Sequence, residues 1–186
     1  KPTLKLTSPS PCSVNHYIKP RAFLVHGKPQ VSLYETAEAK KYKKDFCTYV
    51  KEQVKLQQFN IVPNKTQHFY IDCIFYFDRI DKDCNNYFKL LLDAITDTQA
   101  IWIDDNVTAE RVNAIYYDSQ NPHIEITIYP VDYIGIFSNQ EQLDTFESNC
   151  IHCKKYKERK CSVLQKAIEG RIQEEIIDFN CLKKKV

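Results

Sequence analysis

Only three glycines occur in the 186 residues of this chain, too few for the glycine-rich loops that cradle phosphates in P-loop and dinucleotide-binding folds. Long apolar runs are missing too. The longest, Cys73 to Phe77, has five residues, against the roughly 20 that span a bilayer. The opening residues Lys1-Pro2-Thr3-Leu4 carry no apolar segment of the secretory type. The expectation is a cytoplasmic protein with no membrane attachment and no nucleotide fold. What is present is ordinary for a folded domain: 43% apolar and 27% charged residues. The length suits one domain with a modest appendage.

Charge is nearly balanced overall, 26 basic against 24 acidic side chains, but it is divided unevenly. Residues 1–150 carry 16 basic and 19 acidic side chains, and residues 151–186 carry 10 and 5. Eight aspartates fall between Asp72 and Asp105, against Arg79, Lys82 and Lys89. A carboxylate-lined site flanked by basic surface suits an enzyme of phosphodiesters, although a solvated acidic surface beside a basic tail has the same composition.

Residues 1–20, with Pro2, Pro9, Pro11 and Pro20, read as an extended lead-in. Ala22–Val25 reads as a short strand ending at Gly27. From Glu35 to Lys55, Ala39, Tyr42, Phe46, Val50 and Val54 recur at helical spacing. Lys40, Lys41, Lys43 and Lys44 crowd the early turns of that helix, as a solvated face or a phosphate-binding one. His68–Phe77 reads as a buried strand. A helix capped by Asn85 or Asn86 follows, with Phe88, Leu91, Leu92 and Ile95 on one stripe. Ile101–Ile103 reads as a brief extended piece, and Arg111–Tyr117 and His123–Tyr129 as strands separated by a turn. Gln140–Glu147 is a linker or a helix, and Val163–Ile177 a further helix.

The chemistry concentrates in Asp83-Cys84-Asn85-Asn86-Tyr87-Phe88-Lys89, continuing to Trp102-Ile103-Asp104-Asp105. If the chain returns from the helix end so that Asp105 meets Asp83, two carboxylates converge. That donor set suits Mg²⁺, which takes few protein oxygens and keeps several waters. Lys89 beside them could stabilise charge on a phosphate in transit. An aspartate ahead of a helix is also a common cap, so the bland reading stands beside the chemical one.

Together these residues resemble the signature of RusA-type Holliday junction resolvases: Asp-x-Asp-Asn-x-x-Lys, a hydrophobic-Asp-Ala-Leu step, then Trp and a paired Asp-Asp. Pro11-Cys12-Ser13-Val14-Asn15 is similar to the family's lead-in, and the resemblance covers roughly residues 9–130. It implies an α+β fold, a mixed β-sheet packed with two main helices, over residues 1–135, and a Mg²⁺-dependent endonuclease that acts on four-way DNA junctions as a homodimer. By position, Asp83 and Asp105 match acidic metal ligands, Lys89 the lysine needed for cleavage, and Asp104 a weaker ligand position. Asp93 matches a structural position and is expected to pair with Lys89 or with nearby backbone. The family's second carboxylate falls on Asn85, whose amide oxygen can coordinate but carries no charge. Asp81 is a possible compensating carboxylate. The substitution leaves a second reading open: a junction-binding module that no longer cuts.

Cys150, Cys153, Cys161 and Cys181 occupy the extension, residues 136–186, which reads as small and helical. A two-residue gap lets Cys150 and Cys153 face one ion, and four thiolates would close a tetrahedral Zn²⁺ site. The later gaps of seven and nineteen residues are irregular, so free thiols or a redox pair are the plain alternatives. His152 could replace one ligand. Lys154, Lys155 and Arg159, with Lys40, Lys41 and Lys44 of the first helix, are the candidate DNA contacts.

Overall fold

Leu4, Leu6 and Ser8 are buried while Lys5, Thr7 and Pro9 are exposed, the period-two pattern of an edge strand with one face on a core. In the computed structural model, which describes residues 1–185, this strand (β1, Leu4–Pro9) opens the first of two compact units, Lys1–Pro130. The lead-in is therefore not all irregular. Its prolines sit where an edge strand tolerates them or just outside it.

One turn of helix (α1, Val14–Tyr17) leads into a hairpin of β2 (Ile18–Val25) and β3 (Lys28–Glu35). Only the end of β2 is apparent from composition, because Pro20, Lys19 and Arg21 mask the rest. His26 and Gly27 both take positive φ, 49° and 75°, as a two-residue hairpin turn requires. The long helix α2 (Ala37–Leu56) starts at Thr36, whose hydroxyl accepts the Ala39 N–H at 3.3 Å. Phe46 and Val50 are its buried contribution to the core.

The central strand β4 (Phe69–Phe77) buries Phe69, Ile71, Cys73, Phe75 and Phe77. Helix α3 (Asn85–Thr96) follows, and a 3₁₀ turn (Asp105–Val107) feeds β5 (Thr108–Tyr117) and then β6 (His123–Pro130). The sheet order is β1-β6-β4-β5. Although β5 and β6 are consecutive, they do not pair. β4 lies between them, parallel to β5 and antiparallel to β6. The most apolar strand takes the centre, and the parallel pair needs the crossover that α3 supplies. Ile101 and Trp102 form no strand; both are buried, and the Trp102 indole donates to the Thr96 hydroxyl at 2.7 Å.

The second unit, from Val131 on, contains α4 (Gln140–Ser148), α5 (Ser162–Ile168) and a small hairpin of β7 (Ile176–Ile177) and β8 (Asn180–Cys181). The helix expected to reach Ile177 stops at Ile168. Gly170, at φ +82°, donates its N–H to Ala167, and Arg171 donates to Lys166. That pair of bonds turns the chain out of a helix. Gly135 is required here too: a Cβ on it would lie 2.0 Å from the Ala167 carbonyl oxygen. All eight cysteines are free. No helix among the described residues is long and apolar enough to cross a membrane.

Candidate active site

Helix α3 buries Tyr87, Leu90, Leu91, Leu92, Ala94 and Ile95 and leaves Lys89 and Asp93 on a partly open flank. The residue at its N-cap is Cys84 rather than an asparagine. Asp83, one position earlier, accepts the Asn85 N–H at 3.0 Å, so one of its oxygens ties down the helix start. Lys89 Nζ lies 2.7 Å from Asp93 Oδ1. The other Asp93 oxygen accepts the Tyr17 hydroxyl at 2.5 Å, and that hydroxyl is also 3.1 Å from Glu35. Lys43, largely buried, bridges Glu35 at 3.3 Å and Asp97 at 3.0 Å.

These contacts join α1, β3, α2 and α3 in one charged network with Lys89 at its open end. The Asp93 hydrogen bond, against a smaller desolvation cost, and the charges of Asp93 and Asp105 hold the Lys89 pKa above its ordinary value. Burial first, and then Asp93, pushes Tyr17 far above the tyrosine range, so it serves as a donor. Tyr17, Glu35 and Lys43 carried no signal along the chain, because what makes them matter is contact between distant segments. Only the Lys89–Asp93 pair, with its i,i+4 spacing, was readable in advance.

Asp83 belongs to a second feature. With Asp81, Asn86 and Arg79 it lines a hollow whose other wall is Pro11, Asn15 and His16. The lead-in segment and the Asp-x-x-Asn segment therefore meet in space. Asn85 is exposed and does not border that hollow.

Asp104 and Asp105 lie elsewhere. Asp104 Oδ1 accepts the Asn106 N–H at 3.0 Å, capping the 3₁₀ turn, and Asp104 borders a hollow with Asn64 and Lys65. The register explains the separation. Thr108 at the start of β5 sits beside Phe69 at the start of β4, whereas Asp83 follows the far end of β4 at Phe77. Nine residues of strand span roughly 26 Å. Parallel pairing thus places the turn that holds Asp105 at the end of β4 opposite the one from which the chain runs on to Asp83. Asp105 instead lies within electrostatic reach of Lys89.

The basic candidates divide. Lys41 pairs with Asp45 at 2.8 Å and Arg159 with Glu147. Lys40 and Lys44 edge a shallow hollow beside Lys43 and Asp97. Lys155 borders a cavity of the second unit, where Cys150, Cys153, Cys161 and Cys181 also lie, and the Lys154 N–H donates to the Lys185 carbonyl.

The family model Endodeoxyribonuclease RusA matches residues 13–129. This chain belongs to the RusA endodeoxyribonuclease family. The match spans α1 through β6 and takes in the network, the acidic hollow and the Asp104-Asp105 turn. RusA nucleases resolve Holliday junctions, bind branched DNA and generally depend on a divalent metal. The curated proteins contain no match to this chain.

The donors present fit such a metal in kind. Asp81, Asp83 and Asp105 offer hard oxygens, and Mg²⁺ takes one or two carboxylates, completing its shell with water and phosphate. Among the described residues no three His, Cys, Asp or Glu side chains form a ready cage for an ion.

Proposed function

We propose that this RusA-family chain is a Mg²⁺-dependent endonuclease that resolves four-way DNA junctions by paired nicks, acting as a homodimer. The observation that supports it most is the Lys89–Asp93–Tyr17 arrangement, with Asp105 within electrostatic reach: a cation kept protonated and held in one direction by a carboxylate, within the family's own signature segment.

Asp83 and Asp105 are the carboxylates that would hold Mg²⁺, with Asp81 lending charge in place of Asn85. When bound, the ion supplies an acidified water and neutralises phosphate charge. The protein's own part is positional. Asp93 and Tyr17 keep the Lys89 ammonium in one place, where it stabilises charge developing on the phosphate or on the departing oxygen. Asp104 stays with the turn that presents Asp105.

Two observations support a dimer. Two carboxylates reached from opposite ends of β4 can serve one ion where two subunits place them side by side. A four-way junction also has two-fold symmetry, so an isologous pair offers each cut strand an equivalent site. The β2–β3 hairpin supplies a surface for the contact. Pro20, Ala22 and Leu24 stand opposite Leu33, Val31 and Pro29 on one face, with Leu24, Val31 and Leu33 about 70% exposed. An isolated two-stranded ribbon is marginal in water, and burial of this face against a second copy would stabilise it. The other face carries Lys19, Arg21, Lys28 and Tyr34, cationic and aromatic groups that suit a DNA backbone.

A synthetic four-way junction incubated with the protein and Mg²⁺ tests the reading. Symmetric nicks support it. Binding without nicks would favour a junction-binding module, the reading to which Asn85 points.

A further inference from the structure

Four of the eight cysteines lie in the second unit, outside the segment matched by the RusA family, and the nuclease chemistry has no use for them. They arrive from three separate pieces of chain. Cys150 and Cys153 follow α4 in successive tight turns, Cys161 precedes the first residue of α5, and Cys181 ends β8 opposite Ile176. All four border a single cavity of about 150 Å³, ample for one ion. We propose that Cys150, Cys153, Cys161 and Cys181 bind one Zn²⁺, a closed tetrahedral site that cross-links α4, α5 and the β7–β8 hairpin.

Chemistry selects the ion. Four soft thiolates with no oxygen donor among them suit zinc, and a fully occupied tetrahedron leaves no position for a reacting water, so the role is structural. Each ligating thiol gives its proton to solvent. The site would then carry a net negative charge, and Lys155 and Lys184 border the same cavity to offset it.

The backbone points the same way. Glu158 and Arg159, just ahead of Cys161, and Asp178 and Phe179, just ahead of Cys181, all take positive φ between 46° and 59°. Residues with side chains rarely adopt that region, and such turns persist when something else over-determines them. The hairpin is two residues per strand, and the unit's buried cluster comprises Phe137, Leu143, Phe146, Cys150, Leu164 and Ala167. A core of this size commonly needs a staple. As placed, the thiols are not gathered at ligand distance of one another. The Cys150 thiol donates to the Phe146 carbonyl at 3.4 Å, and the Cys153 sulfur accepts the Lys185 N–H, also at 3.4 Å. On ligation the Cys150 thiol gives up the proton that it donates to that carbonyl, while the Lys185 N–H can stay as a bond to a thiolate sulfur.

Metal analysis of the full-length protein, purified under reducing conditions and supplied with Zn²⁺, tests the proposal. One zinc per chain is expected, and Co²⁺ in its place should give the intense visible and near-ultraviolet bands of tetrahedral thiolate. Cys153→Ser and Cys181→Ser should each weaken zinc binding more than about tenfold, the least that loss of even an outer-shell partner costs. Cys47→Ser, in α2, should keep full stoichiometry. Zinc well below one per chain, octahedral cobalt spectra, or undiminished zinc in both serine variants would overturn the site. A Cys150–Cys153 disulfide persisting under those conditions would overturn it as well. The readout is metal content, so it stands or falls separately from junction cleavage.

Discussion

The Lys89 ammonium sits 2.7 Å from Asp93, one helical turn further along α3, and the second oxygen of that carboxylate is held by the Tyr17 hydroxyl from another segment. Asp93 thus links the lysine of the signature to the first turn of helix in the chain. A flexible side chain more than half exposed acquires a fixed direction by this contact.

Asp93→Asn and Tyr17→Phe should therefore slow junction cleavage at unchanged DNA affinity, Asp93→Asn by about 10²-fold, as expected when a reacting group is misplaced by an ångström or so. Lys89→Met should abolish cleavage and retain binding. The pH dependence has a definite sign. The Lys89 pKa is raised in the fold, so its contribution to stability is fully present below the unfolded lysine value and is lost only as pH rises through the folded one. The rate should consequently show no loss traceable to Lys89 between neutral pH and the ordinary lysine pKa. In Asp93→Asn the alkaline limb should move to lower pH, measurable in single-turnover pH profiles.

A site shared between two subunits makes mixing experiments informative. Asp83→Asn and Asp105→Asn homodimers should each be inactive. A mixture allowed to exchange subunits should regain nicking, because one of the two shared sites in each heterodimer has both carboxylates. Continued inactivity of a verified heterodimer would mean that each site is built within one chain.

The two faces of the β2–β3 hairpin should separate by mutation. Leu24→Asp with Leu33→Asp should weaken self-association, read by sedimentation, by at least about 2 kcal/mol, as for residues central to an interface. Lys19→Ala and Arg21→Ala should leave association intact. Each should instead lower junction affinity and reduce the salt slope of binding by about one.

Trp102 is the sole tryptophan and is buried against Phe69, with ring centroids 5.8 Å apart. Its emission should be blue-shifted and report unfolding of the first unit alone. Trp102→Ala should cost about 3–5 kcal/mol, lowering the denaturation midpoint followed by circular dichroism.

The elements legible in the sequence are those with a strong local period. α2, β4, α3 and β6 stand where apolar spacing puts them, since each buries one stripe or face, and β5 also stands where its apolar residues put it, although none of them is buried. β1 and β3 escaped because prolines and exposed polar residues obscure alternation. α5 is shorter than the apolar spacing suggests, because Ile172 and Ile176 continue a four-residue spacing that Gly170 interrupts. Lys89–Asp93 was visible as a helical pair. The placement of Asp83 and Asp105 was not, because it depends on β5 pairing parallel to β4, a fact carried by no single segment. The meeting of four cysteines at one cavity is foreshadowed by their crowding into the extension and by the Cys150–Cys153 spacing.

Cleavage of a symmetric four-way junction in Mg²⁺, wild type beside Asp105→Asn, tests the central claim most directly. The wild type should produce paired nicks on opposing strands, and the variant should bind the junction equally well without cutting it. Wild-type protein that binds and never nicks, or a variant that nicks at the wild-type rate, would contradict the account.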